Sequence, residues 1–242
     1  MVHLVKTQSV SALDAVRSYV NSTAATAAAS TATGDAMDGA RDAAAEYGLV
    51  TPDGMTGEFL TFLAAQVAGQ VAGGRGRADD APQPSAVVMS PACGVIGLHL
   101  FAGLGPRGHV TCIDPEVDHQ RLAREAFGAA GLRPTSFRFL PSAPLDVVSR
   151  LASDAYDIIV SESAEEHLSA TVEATLPALR PGGTLVLLDS LADGLVGDDA
   201  PRDRHVAAAR EADDLLTSWD RSPRITVSRL PLGAGTTLVT KA

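Results

Sequence analysis

Lysine is almost missing from this chain. Among 242 residues only Lys6 and Lys241 are lysines, one near each end, so chemistry that depends on a lysine in the body of the chain is excluded. Cysteine is equally scarce: Cys93 and Cys112 cannot form a disulfide framework. Basic residues are in deficit, with 19 Lys and Arg against 29 Asp and Glu and a formal charge of −10. Nucleic acid and anionic membrane surfaces both require clustered Lys and Arg, so neither is an expected partner. Met1 to Ala12 lacks the basic region, apolar core and small-residue cleavage site of a signal peptide. The uncharged run from Gln83 to Pro106 is interrupted by Pro84, Ser90, Pro91, His99 and four glycines, which reads as buried strand, loop and helix and not as a membrane span. The expectation is a cytoplasmic protein of one domain, long enough to bury roughly 70% of its unfolded surface.

The front of the chain reads as helical. Val10, Leu13, Val16 and Val20 recur at spacings of three and four, as do Phe59, Leu60, Phe62, Leu63 and Val67. Between them, Gly48 to Gly57 (GLVTPDGMTG) cannot be one unbroken helix. Asn21 to Gly34, rich in Ala, Thr and Ser, reads as a connector that alanine could turn into helix. Gly73 to Ser85 (GGRGRADDAPQPS) reads as a surface loop. The organisation expected is therefore a helical segment over 9–72, a loop over 73–85 and an α/β core over 86–242.

In that core, β-branched or apolar runs occur at Ala86–Met89, His109–Ile113, Ser136–Leu140, Asp157–Val160, Thr184–Leu188, Ile225–Leu230 and Thr236–Thr240. Helical patterns, clearest at Glu116–Ala130 and Glu166–Leu179, separate the first six, which implies a parallel sheet covered on both faces. Only Pro231 to Gly235 divides the last two runs, too short for a crossover, so these must pair antiparallel. The fold class expected is α/β: a seven-stranded, mostly parallel sheet with a closing antiparallel hairpin and helices in front.

In such sheets ligands bind beyond the carboxyl ends of the strands. The first strand runs into Ser90-Pro-Ala-Cys-Gly-Val-Ile-Gly97, a small-residue loop of the kind that lets backbone approach a cofactor before opening a helix. Twenty residues after Gly94, Asp114 ends the second strand, a spacing that suits a carboxylate accepting from a ribose diol. The plainer alternative is that Gly94 and Gly97 make a tight turn and Asp114 caps the helix starting near Glu116. Ser90-x-Ala92-x-Gly94 fits a dinucleotide poorly, and the closing hairpin favours an adenosyl cofactor without phosphates.

These residues resemble the class I S-adenosylmethionine-dependent methyltransferases, in particular the small-molecule O-methyltransferases of the catechol and caffeoyl-CoA type and their actinobacterial relatives. The resemblance rests on Thr111 to Phe127 (TCIDPEVDHQRLAREAF), Leu179 to Asp189 (LRPGGTLVLLD) and the final hairpin. It implies the Rossmann-like methyltransferase fold, S-adenosylmethionine as cofactor, a small-molecule methyl acceptor and a homodimer. It assigns the cofactor's methionine part to the loop of Ser90, Pro91, Ala92 and Gly94, the ribose to Asp114 with Pro115, and the adenine edge to Ser142-Ala143. Thr51, within a Thr51-Pro52 match at the entrance, and Glu162 complete the implied cofactor set, and Gly57 to Leu60 matches a further entrance run.

The departures are chemical. Val88 stands where the family has an acidic residue, and Ser90 and Ala92 replace two glycines. Metal-dependent members place Asp-x-Asp after the fourth strand and Asp-Asn after the fifth. Here those positions hold Glu162, Ala164, Asp189 and Ser190, a poor set for a hard divalent ion, so no metal is expected. The family's catalytic lysine is Glu165, which leaves His167 as the nearest neutral-pH base or else a helix-start residue facing water. His99, His109, Cys93, Cys112, Phe127 and Trp219 read as packing residues, and Arg202 to His205 as a solvated helix start. The function expected is methyl transfer to an oxygen of a small molecule without a metal. A non-catalytic cofactor-binding scaffold and, less favoured, a nicotinamide-dependent oxidoreductase stay open.

Overall fold

The computed structural model describes residues 11–28, 32–73, 83–197, 203–220 and 224–242. Three helices lead: α1 (Ala12–Ala28), α2 (Ala32–Glu46) and α3 (Gly54–Gly73). A side-chain cap starts α1, where Ser11 Oγ accepts from Asp14 N at 3.1 Å and donates to the Asp14 carboxylate at 2.6 Å. Asp53 caps α3, its Oδ1 accepting from Thr56 N at 2.8 Å. The expected connector at Asn21–Gly34 is largely helix: α1 continues to Ala28 and α2 begins at Ala32. Alanine favours the helix, and the face of α2 that it buries carries Ala36, Ala40 and Ala44 with Met37 as its one large side chain. Of the expected loop at Gly73–Ser85, residues 74–82 lie outside the described residues, and Ser85 already belongs to the first strand.

The core continues as β1 (Ser85–Met89), α4 (Cys93–Leu104), β2 (His109–Ile113), α5 (Val117–Ala129), β3 (Phe137–Leu140), the short α6 (Pro144–Val147) and β4 (Tyr156–Ser161). It ends with α7 (Leu168–Thr175), β5 (Leu179–Leu187), α8 (Arg204–Trp219), β6 (Ile225–Leu230) and β7 (Thr236–Lys241). The strands form one sheet in the order β3-β2-β1-β4-β5-β7-β6. β1 to β5 are parallel, and β7 runs antiparallel to both β5 and β6, as the short final connection requires. Alternation along β1 sends Ala86 and Val88 into the core against α4 and α5, and Val87 and Met89 into the core against α7 and α8. Both faces are covered, so β1 is an unbroken apolar run. Val88, at the family's acidic position, is wholly buried in the first of these cores.

The amino end of the sheet is closed by charge. Asp157, at the start of β4, accepts from Ser85 N at 2.7 Å and pairs with Arg180 at 2.9 Å. Arg180 also donates to Ala155 O at 2.5 Å. Lys241 is spent on this side as well, bonding Asp154 and Leu179 O, each at 2.7 Å. Cys93 and Cys112 are buried free thiols, and the Cys112 thiol is pushed up by its hydrogen bond to Cys93 and by burial. No described helix is long and apolar enough to cross a membrane.

Candidate active site at the carboxyl end of the sheet

Strand order reverses between β1 and β4, and the connections after β1, β2, β3 and β4 diverge there to leave a cavity of about 480 Å³. Ser90, Asp114, Ala143 and Glu162 bring one wall from each connection. Asp114 is only 4% exposed. Its Oδ1 accepts from Glu116 N at 2.7 Å and lies 3.0 Å from His119 Nδ1, while its carbonyl accepts from Gln120 Nε2 at 2.8 Å. Both carboxylate bonds fall on Oδ1. The plain role and the functional one are therefore compatible: one oxygen organises the start of α5, and the other is left for a ligand. Opposite Asp114, Ser163 and Thr171 line the cavity as part of a hydroxyl chain, Ser161 to Ser163 at 2.6 Å and Ser163 to Thr171 at 3.1 Å.

The loop after β1 is tied to the end of β4. Ser90 Oγ donates to Glu162 Oε2 at 2.5 Å and accepts from Ala92 N at 3.0 Å. No side chain caps α4, whose first N–H groups therefore have no partner within the helix. The glycines of this loop also have a packing role. A Cβ on Gly94 would lie 3.0 Å from Ala123 Cα, and one on Gly97 would lie 2.4 Å from Phe127 Cζ. Both faces turn towards α5, so these glycines set the close contact of two helices.

A second cavity, of about 310 Å³, adjoins the first. Thr51, Asp53 and Thr56 reach it from the entrance to α3, Arg17 from α1, and Asp189 from the end of β5. The β6–β7 turn closes it. Ala234 N donates to Asp189 Oδ1 at 2.6 Å, and Gly233 leaves that carboxylate room, since a Cβ there would fall 2.3 Å from it. Asp189 itself has φ of +53°, a left-handed backbone that Asp tolerates better than most residues. Arg17 Nη2 donates to Pro231 O at 3.3 Å, tying α1 to the hairpin. The two cavities share one lining residue, Glu162. Burial pushes its carboxyl above the usual glutamate range, the Ser90 hydroxyl pulls it down, and the nearby Asp189 charge pushes it up again.

Of the residues singled out in the sequence, Ser90, Pro91, Asp114, Pro115, Ala143 and Glu162 line the larger cavity together. Thr51 lines the smaller one. Ala92 and Gly94 border a narrow crevice behind the loop, beside His119, and Ser142 lines none of these spaces. His167 is exposed and lines the Asp114 cavity, away from the smaller one. His99 is a core residue against Arg41 and Thr61, lowered to about 4 chiefly by burial. Arg202 is outside the described residues, but Asp203 caps α8 by accepting from His205 N at 2.7 Å, as a helix start should. Sequence reasoning missed Arg17, Asp53, Thr56, His119 and the Gly233-Ala234 turn. Arg17 did carry a signal, as the one basic residue between Lys6 and Arg41.

At the family's metal positions the donors do not suit a hard divalent ion, which wants several oxygens. Ala164 offers no side-chain donor, and Ser190 Oγ is occupied by Leu187 O at 3.2 Å and Thr237 Oγ1 at 2.9 Å. Asp189 and Glu162 each have one oxygen engaged. Among the described residues no three His, Cys, Asp or Glu side chains converge.

The O-methyltransferase family profile matches residues 93–242. The chain belongs to that family. A Mycobacterium marinum protein assigned by inference as an O-methyltransferase is 32% identical over 196 residues, covering 81% of this chain and 80% of the relative. A Mycolicibacterium vanbaalenii relative with the same assignment is 36% identical over 149 residues, and there the chain spans 65% of the relative's length. Among solved structures, a Corynebacterium glutamicum protein is 43% identical with a TM-score of 0.81, covering 96% of this chain and 98% of that one. The O-methyltransferase of tomaymycin synthesis from Streptomyces achromogenes, solved with S-adenosylmethionine, is 19% identical with a TM-score of 0.69 over 86% and 89% of the two chains, which speaks to the fold. The seven-stranded sheet with its antiparallel final hairpin is thus the fold of a solved O-methyltransferase as well.

Proposed function

We propose that this family member transfers a methyl group from S-adenosylmethionine to an oxygen of a small molecule. One observation carries the reading: a cavity bordered by Asp114 and the post-β1 loop meets a second cavity at a single residue, Glu162. The cofactor supplies a sulfonium-bound methyl group, an electrophile that needs no further activation. In this reading the free oxygen of Asp114 accepts from the ribose, Ala143 and Leu145 border the base, and the loop from Ser90 to Gly94 holds the methionine end. The acceptor enters between α1, the start of α3 and the β6–β7 turn. Glu162 would take the proton of the acceptor hydroxyl as that oxygen bonds the methyl carbon and the methyl–sulfur bond breaks, with S-adenosylhomocysteine as the leaving group. Its raised basicity suits the task, and Ser90 fixes one of its oxygens so that the other faces the acceptor. Alignment of nucleophile and methyl group lowers the barrier further. His167, on the cofactor side, has no part in this step, and the donor set gives no reason to route it through a metal. A cytoplasmic homodimer is the expected form.

Calorimetric titration with S-adenosylhomocysteine tests the cofactor half. Binding that weakens by at least about tenfold in Asp114→Ala, the loss of one charge-assisted hydrogen bond, supports the reading. The absence of any binding would leave a scaffold as the better account.

A further inference from the structure

Among the described residues, two buried side-chain polar atoms have no hydrogen-bond partner: Arg17 Nε and Thr56 Oγ1. Both residues line the smaller cavity. Buried polar atoms are normally satisfied, because leaving one unpaired costs about 1–3 kcal/mol, so two orphans on residues that line the same space call for a common explanation. The three carboxylates of that cavity do not explain them. Asp53 accepts from Thr56 N, Glu162 from Ser90 Oγ and Asp189 from Ala234 N, and none is within ion-pair distance of Arg17. Among the described lining residues Arg17 is the one cation, and its hydrogen bond to the carbonyl of Pro231 steers the guanidinium without neutralising it. Thr56 is 3% exposed, out of reach of bulk water. Arginine Nε can only donate, and a threonine hydroxyl with no acceptor nearby is available to donate. Two donors without acceptors ask for oxygen from the ligand.

We infer that the acceptor carries a second oxygen function, a carbonyl or carboxylate, held by Arg17 Nε and Thr56 Oγ1 while its reacting hydroxyl lies beside Glu162. The hydroxyl half of this statement rests on the methyl-transfer reading; the oxygen-binding half stands on the orphaned donors alone. The cavity then selects bifunctional acceptors, hydroxy-aryl acids, aldehydes or amides, over simple phenols of the same size. Recognition by hydrogen bonding discriminates sharply here, because an acceptor lacking the oxygen leaves both donors unpaired.

Equilibrium titration with 3,4-dihydroxybenzoate, 3,4-dihydroxybenzaldehyde and 4-methylcatechol tests this without turnover, once on the protein alone and once with saturating S-adenosylhomocysteine. The two oxygen-bearing probes should bind about tenfold or more tighter than 4-methylcatechol, one well-formed hydrogen bond's worth. Thr56→Val should erase most of that preference while leaving the unfolding midpoint unchanged or slightly raised, since no bond within the protein is lost. Arg17→Leu should erase it too, and the benzoate should suffer more than the aldehyde. Equal affinities for the three probes, no binding by any of them, or a preference untouched by Thr56→Val would overturn the inference. Oxygen discrimination without any response to S-adenosylhomocysteine would instead sustain the subsite and overturn methyl transfer.

Discussion

Strand β4 has a buried carboxylate at its start and a half-buried one just past its end, and the two differ in their partners. Asp157, at the amino end, has one oxygen on the Ser85 amide and the other on the Arg180 guanidinium. Glu162, just past the carboxyl end, has a serine hydroxyl on one oxygen and a second carboxylate, Asp189, nearby. Burial raises both groups above their usual range. At Asp157 the amide and the guanidinium pull against that rise; at Glu162 Asp189 adds to it. Desolvation raises both, yet one is a closed structural pair and the other, in the proposed reading, an available base. What separates them is the company each carboxylate keeps, and only the second arrangement leaves proton-accepting capacity facing a cavity.

The largest effect expected is on the closed end. Arg180→Met strands the Asp157 carboxylate and should cost about 3 kcal/mol in urea unfolding, with little change in cofactor affinity. Next comes the open end: Glu162→Gln should reduce kcat/KM for methyl transfer by about 100-fold, the lower range for loss of a general base. Its stability should move the other way. Because the native state holds the Glu162 proton more tightly than the unfolded chain does, stability is lost as pH rises from the ordinary glutamate range through the raised native value. Glu162→Gln should therefore be as stable as the parent at neutral pH, or more so, in the same urea experiment. If both variants lost stability alike with activity unaffected, the contrast between the two ends would be gone.

Smaller shifts sharpen the picture. With ionised Glu162 as base, activity rises with pH through its native pKa, which lies above the usual glutamate range. Ser90→Ala removes the hydroxyl that favours the ionised form, so the acid limb of the kcat/KM profile should move to higher pH. Asp189→Asn removes the like charge while keeping an oxygen for Ala234 N, so the limb should move down. Opposite displacements identify Glu162 as the titrating group; displacement in one direction by both would point to another residue.

Much of this molecule was legible in its sequence. The β1 and β2 runs, the shortness of the Pro231–Gly235 connection and the Gly94-to-Asp114 spacing placed the sheet, its hairpin and the larger cavity's main carboxylate, because each depends on contacts within one strand or its next connection. The start of β5 was missed: Leu179 pairs with Tyr156 before a register shift, and the Pro181-Gly182-Gly183 run hides the strand beneath turn chemistry. The smaller cavity was the least legible part. Arg17 meets Pro231 across 214 positions, and Ala234 meets Asp189 across 45. No local pattern encodes such meetings. The spacing of the post-β1 glycines gave no sign that Gly94 and Gly97 also pack against Ala123 and Phe127 in another helix.

The tie between Arg17 and Pro231 also orders events during synthesis. The residues lining the larger cavity run from Met89 to Thr171, whereas those of the smaller run from Arg17 to Ala234. A growing chain thus has every side chain of the first chamber in hand well before the hairpin that walls the second has emerged. The smaller chamber is the later of the two to be completed, and a chain that stalls after β5 lacks the turn that closes it.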